Sequence, residues 1–194
     1  MIILKPNYGN ILSIHNMLKY IGYDAEITND PDKIQNADKI ILPGVGKFDT
    51  GINFITPLKD SLLKARDNGA YILGICLGMQ ILVDKSEEGY KEGLGLIRGE
   101  LKKFKVQKHV PNIGWNTCTQ VQADPIFKYC KTSRYYFMHS YYLTNVPKEN
   151  ILYTSTYEIE YISGIKQGRI YGFQFHPERS HKYGMALMKG FCEL

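Results

Sequence analysis

The stretch Tyr71-Ile72-Leu73-Gly74-Ile75-Cys76-Leu77-Gly78-Met79-Gln80 reads as an apolar strand that turns abruptly at a cysteine and continues as a helix. A strand-to-helix turn this tight crowds its own backbone, and glycines flanking the turn residue relieve the crowding because they lack Cβ. The pattern Gly-x-Cys-x-Gly is therefore a nucleophile elbow built on sulfur. Helix N-terminal amides beyond Cys76 favour the thiolate, the form that attacks a carbonyl carbon. A free cysteine is ordinarily a small core hydrophobe, but the two bracketing glycines point instead to acyl transfer.

Such a nucleophile needs a base that later returns a proton to the leaving group, and the base needs a third group to fix its tautomer. Near the C-terminus, Tyr171-Gly172-Phe173-Gln174-Phe175 alternates like a strand and runs into His176-Pro177-Glu178. Pro177 stiffens the exit, which makes His176 the expected base and Glu178 its orienting partner. Oxyanion donors are also required. The Leu77 amide is one candidate; the other is the Val45 amide in Leu42-Pro43-Gly44-Val45-Gly46, a strand end whose glycines let a peptide plane face the site. No Lys-Ser/Thr pair follows, so this loop lacks the signature of a phosphate cradle.

The chain of 194 residues, 44% hydrophobic, suffices for one well-filled core, and a single domain over residues 1–194 is expected. Its 24 basic and 19 acidic residues give a formal charge of +5 without a basic block interleaved with aromatics, so nucleic acid is not implied. No apolar run is long enough to span a bilayer and the opening lacks a signal-peptide layout, so a soluble cytoplasmic protein is expected. Cys76, Cys118, Cys130 and Cys192 lack the close pairs of a zinc site and the density of a disulfide scaffold. No metal or cofactor is expected.

Periodicity predicts strands at Ile2 to Leu4, Asp24 to Thr28, Lys39 to Leu42 and Ala70 to Ile75, and helices at Asn10 to Ile21, Phe54 to Asn68 and Leu77 to Asp84. Strand–helix alternation of this kind means a parallel α/β sheet. The second half is richer in strands: Gly99 to Lys105, Tyr135 to Tyr142, Ile151 to Tyr157, and a hairpin from Glu158 to Phe175 turning at Gln167-Gly168. A mixed, mostly parallel sheet follows. His139, closing an apolar strand, reads as a structural histidine.

Five segments together resemble one family over nearly the whole chain. They are Leu42-Pro43-Gly44-Val45-Gly46-x-Phe48, Leu73 to Gln80, Val110-Pro111-x-x-Gly114-Trp115-Asn116, Tyr136-Phe137-x-His139-Ser140-Tyr141-Tyr142 and Gln174-Phe175-His176-Pro177-Glu178-x-Ser180. In order and spacing the chain resembles the class I, triad-type glutamine amidotransferases, and within them the glutaminase subunits of imidazole glycerol phosphate synthases. The resemblance implies a three-layer, flavodoxin-like open sheet with flanking helices. It also implies a Cys76–His176–Glu178 triad that releases ammonia from L-glutamine through a glutamyl thioester. Gly44, Gln80, Glu88, Ser140 and Tyr141 fall at the family's glutamine-holding positions, and the Pro-Gly-Val-Gly peptide is one that in the family reorients to complete the oxyanion hole. The implied partner is a (β/α)8 cyclase forming a heterodimer, with Asn10, Trp115, Tyr136 and Arg179 as interface candidates.

The chain departs from the family at its opening, Lys5-Pro6-Asn7-Tyr8-Gly9-Asn10, where Asp-Tyr-Gly-x-Gly-Asn is usual, and at Arg179, where lysine is common. Charge changes at a rim bear on partner choice more than on chemistry. Paralogues of the subunit supply ammonia for amination of an amino sugar in surface polysaccharide, which is the alternative acceptor. A non-catalytic module is disfavoured by the intact triad residues, and a cysteine peptidase by Gln80 and Glu88.

Overall fold

Apolar side chains alternate along the early strands, and the two sets pack against different helices. Ile40, Leu42, Ile72 and Ile170 join one buried cluster, while Ile41, Leu73, Ile75 and Phe173 join another. A strand buried on both faces reads as a continuous hydrophobic run, the mark of a parallel sheet between helical layers. The computed structural model describes residues 1–7 and 9–194; Tyr8, in the divergent opening, lies outside them.

The first half runs β1 (Ile2–Ile3), α1 (Ile11–Tyr20), β2 (Glu26–Ile27), α2 (Pro31–Gln35), β3 (Lys39–Leu42), α3 (Phe48–Ile55), α4 (Lys59–Asp67), β4 (Tyr71–Ile75) and α5 (Leu77–Gln80). The second half runs β5 (Lys85–Ser86), β6 (Glu100–Lys103), β7 (Asn112–Gln120), β8 (Arg134–His139), β9 (Tyr141–Thr144), β10 (Ile151–Tyr157), β11 (Ile159–Gln167), β12 (Ile170–Phe173) and α6 (His181–Cys192). The sheet order is β2-β1-β3-β4-β12-β11-β10-β7-β8, with β9 branching from β11 and carrying β6 and β5. From β2 to β12 the strands are parallel, and beyond β12 the main path is antiparallel. The sheet is mixed, as expected, and its parallel half carries the elbow. Helices α1 and α6 cover one face, through Ile14, Leu18, Leu187 and Phe191. Helices α2 to α5 cover the other, through Ile34, Ile52, Leu62 and Leu77. No helix among the described residues is long and apolar enough to cross a membrane.

Several elements depart from the expected layout for identifiable reasons. The helix expected from Phe54 starts at Phe48 and is interrupted by a 3-10 turn over Thr56–Leu58, because Pro57 has no N–H to continue the ladder. Gly51 sits inside α3 because a Cβ there would approach Ile81 and Leu77 to 2.9 and 3.2 Å. Helix α5 is a single turn rather than running to Asp84: the carbonyls of Ile81, Leu82 and Val83 accept instead from Leu94, Leu96 and Gly95. The strand expected over Tyr135 to Tyr142 is two strands, broken at Ser140, because β8 pairs with β7 whereas β9 pairs with β6 and β11. Helices α2 and α6 and strand β7 carried no expectation. In α2, Pro31 takes the first helical position and Asp30 caps it by accepting from the Asp32 and Lys33 amides.

Candidate active site

Three neighbouring parallel strands end at the same place. Register pairs Leu42 with Gly74 and Phe173 with Ile75, so β3, β4 and β12 deliver the Leu42–Gly46 loop, the elbow and the His176 segment side by side. The carboxyl ends of parallel strands are where open α/β sheets place their sites.

Both elbow glycines are sterically required. A Cβ on Gly74 would lie 2.6 Å from the Gly78 carbonyl oxygen, and one on Gly78 would lie 1.9 Å from that of Leu42. Cys76 itself has φ 53° and ψ −110°, a conformation that costs a non-glycine residue about 1–3 kcal/mol and marks a site the surrounding structure over-determines. Its amide donates to the Phe173 carbonyl at 2.8 Å, tying the elbow to β12.

His176 and Glu178 are brought to this sulfur as expected. His176 Nδ1 meets Glu178 Oε1 at 2.8 Å, with both side chains almost wholly buried. The carboxylate accepts, so Nδ1 carries a proton and Nε2 is the working nitrogen; Nε2 is buried and has no hydrogen-bond partner. Burial works against a charged ring, yet the nearby Cys76 sulfur and the charge and hydrogen bond of Glu178 outweigh it and push the imidazole up to about 10. This environment favours the protonated imidazole. Ser180 locks the loop by donating to the His176 carbonyl at 2.6 Å while accepting from the Tyr136 amide at 2.9 Å.

The two amides expected to serve as oxyanion donors are not aimed together. The Leu77 amide donates to the Gly44 carbonyl at 3.3 Å. Because a trans peptide holds C=O and N–H on opposite sides, the Val45 amide then points away from the elbow, toward the side where Gly9 approaches Val45 N.

A cavity of about 200 Å³ opens beside the sulfur, and Val45, Gln80, Glu88, Ser140 and Tyr141 are among the residues lining it. Gly44 is not among them; a Cβ there would stand 2.9 Å from Leu77 Cβ. Glu88 is half-buried and accepts from the Phe48 amide at 2.7 Å. Burial raises its carboxyl above the usual range, with the Phe48 bond opposing. The carbonyls of Ser140 and Tyr141 are engaged by the Phe104 amide and His139 Nδ1, at 3.0 and 2.7 Å. His139 is structural, as expected. Burial pushes it down to about 4, and its other nitrogen meets Asn112 Nδ2 at 3.2 Å.

One site residue, Gln174, was not singled out from the sequence. Gln174 Nε2 donates to Cys76 Sγ at 3.7 Å, and Gln80 Nε2 donates to Gln174 Oε1 at 3.1 Å. Gln80 therefore supports the sulfur's neighbour as well as lining the cavity. A fully buried amide at the end of an apolar strand was the available signal for Gln174. Asn10 stands at the N-cap of α1 but makes no capping bond; its Nδ2 donates to Glu178 Oε1 at 3.3 Å instead. Of the expected interface residues, Asn10 thus turns inward. The other three adjoin one another: Arg179 lies over the Tyr136 ring at 4.8 Å, and Tyr136 meets Trp115 edge-on at 6.3 Å. Arg134, over the half-exposed Trp115 ring at 5.6 Å, and His181, stacked on it at 5.7 Å, complete this patch. Among the described residues no group of His, Cys, Asp and Glu could hold a metal ion.

Comparison with known proteins agrees with this geometry. The family described as glutamine amidotransferase class-I matches residues 5–193. The imidazole glycerol phosphate synthase subunit HisH 2 of Methanococcus maripaludis is 45% identical, covering 98% of each chain. The subunit HisH 1 of the same archaeon is 40% identical, covering 99% of this chain and 98% of its own. Among solved structures, PurLQS from Thermotoga maritima superposes with a TM-score of 0.78 at 20% identity, over 99% of this chain and 96% of that one. An elbow cysteine, a histidine–carboxylate pair closing the next strand and a full-length family match lead to one conclusion: this chain belongs to the class-I glutamine amidotransferases.

Proposed function

We propose that the chain is a cytoplasmic glutaminase subunit that hydrolyses L-glutamine to glutamate and ammonia and passes the ammonia to a (β/α)8 cyclase partner making imidazole glycerol phosphate in histidine biosynthesis. The observation that carries this reading is His176, fixed by Glu178 with its second nitrogen open, beside a strained cysteine on a cavity walled by Glu88. Glu88 pairs with the substrate's ammonium, and the backbone amides of Ser140 and Tyr141 take its carboxylate.

The Cys76 thiolate attacks the side-chain amide carbon and the carbonyl π electrons move onto oxygen. His176 gives its Nε2 proton to the departing nitrogen, ammonia leaves, and a glutamyl thioester remains. Neutral His176 then takes a proton from water, whose oxygen attacks the thioester, and Cys76 leaves as thiolate paired with imidazolium. Turning over the Gly44–Val45 peptide frees the Leu77 amide and brings in that of Val45, completing the oxyanion hole. Gly46, at φ +117°, gives the loop the freedom to do so. Trp115, Tyr136 and Arg179 form the face on which the partner docks.

Glutamate release on adding partner, abolished in Cys76→Ala, is the expected result; equal release from Cys76→Ala would overturn the chemistry. The second reading, nitrogen transfer to an amino sugar, rests on Lys5 in the divergent opening, where a charge change bears on partner choice. The synthase that copurifies with the chain decides between them.

A further inference from the structure

Helix α3 begins three residues after Val45, and its first two residues both reach the turn that carries Glu88. The Phe48 amide holds Glu88 Oε2. The Asp49 carboxylate accepts from the Tyr90 amide at 3.2 Å through each of its oxygens, and from the Lys91 amide at 3.2 Å through Oδ1. Gly89 lies so close that a Cβ there would stand 2.0 Å from Asp49 Oδ1. From the other side, the Glu88 amide donates to Ser86 Oγ at 3.0 Å. Packing contributes little, because no residue from Glu87 to Lys91 is buried and Tyr90 is fully exposed. Hydrogen bonds to Asp49 therefore take the place of a core beneath this turn.

We propose that Asp49 is a positioning residue for substrate recognition, clamping the Glu88–Lys91 backbone so that the Glu88 carboxylate stands at the cavity wall where an amino-acid ammonium arrives. The proposal rests on the reading of Glu88 as the ammonium's partner. Two other roles are open to Asp49, and each has a different signature. A carboxylate in the first turn of α3 stabilises the helix through its dipole, which alters thermal stability and leaves glutamine affinity alone. Its charge also opposes ionisation of Glu88, although burial is the larger influence. A purely electrostatic role thus makes neutralisation of Asp49 tighten ammonium binding, whereas positioning makes loss of the clamp weaken it.

The test is steady-state glutamate release by the full chain with its partner, comparing Asp49→Ala, Asp49→Asn and Glu88→Gln. Asp49→Ala is expected to raise KM for glutamine about tenfold with kcat within about twofold, the pattern of lost ground-state binding. Asp49→Asn keeps the oxygen that receives both amides and is expected to recover most of the loss. An unchanged or lowered KM in Asp49→Ala, with Glu88→Gln still raising it, overturns the positioning role alone. An unchanged KM in Glu88→Gln overturns the reading of Glu88 itself. Should Asp49→Ala fail to fold, Asp49→Asn decides: a KM still raised above the parent's upholds the proposal, and an unchanged or lowered KM overturns it.

Discussion

Replacing Glu178 by glutamine separates what the carboxylate's charge does from what its shape does. Glu178 Oε1 receives both His176 Nδ1 and Asn10 Nδ2, at 2.8 and 3.3 Å, while Oε2 is buried without a partner. In Glu178→Gln the Asn10 donor selects oxygen for the first position and leaves the amide NH2 in the second. The imidazole then keeps its tautomer and loses only the charge. A hydrogen bond to a charged group is worth about 1.5–3 kcal/mol and a neutral one about 0.5–1.5. The imidazolium therefore loses about 1–2 kcal/mol, or about one pKa unit of its support. His176 begins at about 10, so the alkaline limb of the kcat profile for glutamate release is expected to move down by about one unit, with kcat falling about tenfold. Adding Asn10→Ala removes the selection, lets the amide flip and present NH2 to Nδ1, and admits the wrong tautomer, a fault that costs about 10⁴ in a serine triad.

The stability consequence carries a definite sign. A histidine whose folded pKa is raised contributes stability below its unfolded value of 6.5, and that contribution disappears as pH rises through about 10. The melting temperature of the parent is therefore expected to fall across that interval more steeply than that of Glu178→Gln. An alkaline limb unmoved in Glu178→Gln, or a double variant no slower than the single one, would refute the reasoning.

Gly78→Ala is expected to prevent folding, read by circular dichroism and solubility, because its Cβ would lie 1.9 Å from a backbone oxygen. Gly22→Ala, at φ +90° in open space, is expected to lower stability by only about 1 kcal/mol in denaturant titration. Trp115→Ala removes the half-exposed ring that Arg134 and His181 stack upon; it is expected to weaken partner association by about tenfold or more in a binding titration.

What was legible in the sequence was local. Gly74 and Gly78 stand two residues from Cys76, and Pro177 sits between His176 and Glu178, so the constraint and the chemistry share one stretch of chain. The parallel half of the sheet was readable for the same reason, since a buried strand announces itself in consecutive residues. Long-range partnership left no such trace. Asn10 and Glu178 are separated by 168 residues, and an asparagine before a helix looks like an ordinary cap until its side chain is seen to point elsewhere. The break at Ser140 was hidden because apolar alternation runs straight through it; only the choice of two different pairing partners divides β8 from β9. Gly51 is a long-range case too, a glycine that permits close packing of α3 on Ile81 and Leu77.

The geometry separates assembly of the nucleophile from readiness to stabilise the transition state. Cys76, His176 and Glu178 are already in place, held by backbone strain, a buried charge-assisted hydrogen bond and the Ser180 lock, none of which involves the Leu42–Gly46 loop. Of the two proposed oxyanion donors, the Leu77 amide is occupied by the Gly44 carbonyl and the Val45 amide is turned away. Under the proposed mechanism each missing donor costs about 2.7–4 kcal/mol of transition-state stabilisation, so the two together would hold the rate down by about 10⁴ or more. The hydrogen bond that closes the hole, at 3.3 Å, is worth about 1 kcal/mol. Under the proposed mechanism a weak contact therefore restrains a large catalytic term. A partner docking on the Trp115–Arg179 face needs to contribute only a few kcal/mol of differential binding to turn one peptide, and glutamine is spared while no acceptor awaits its nitrogen.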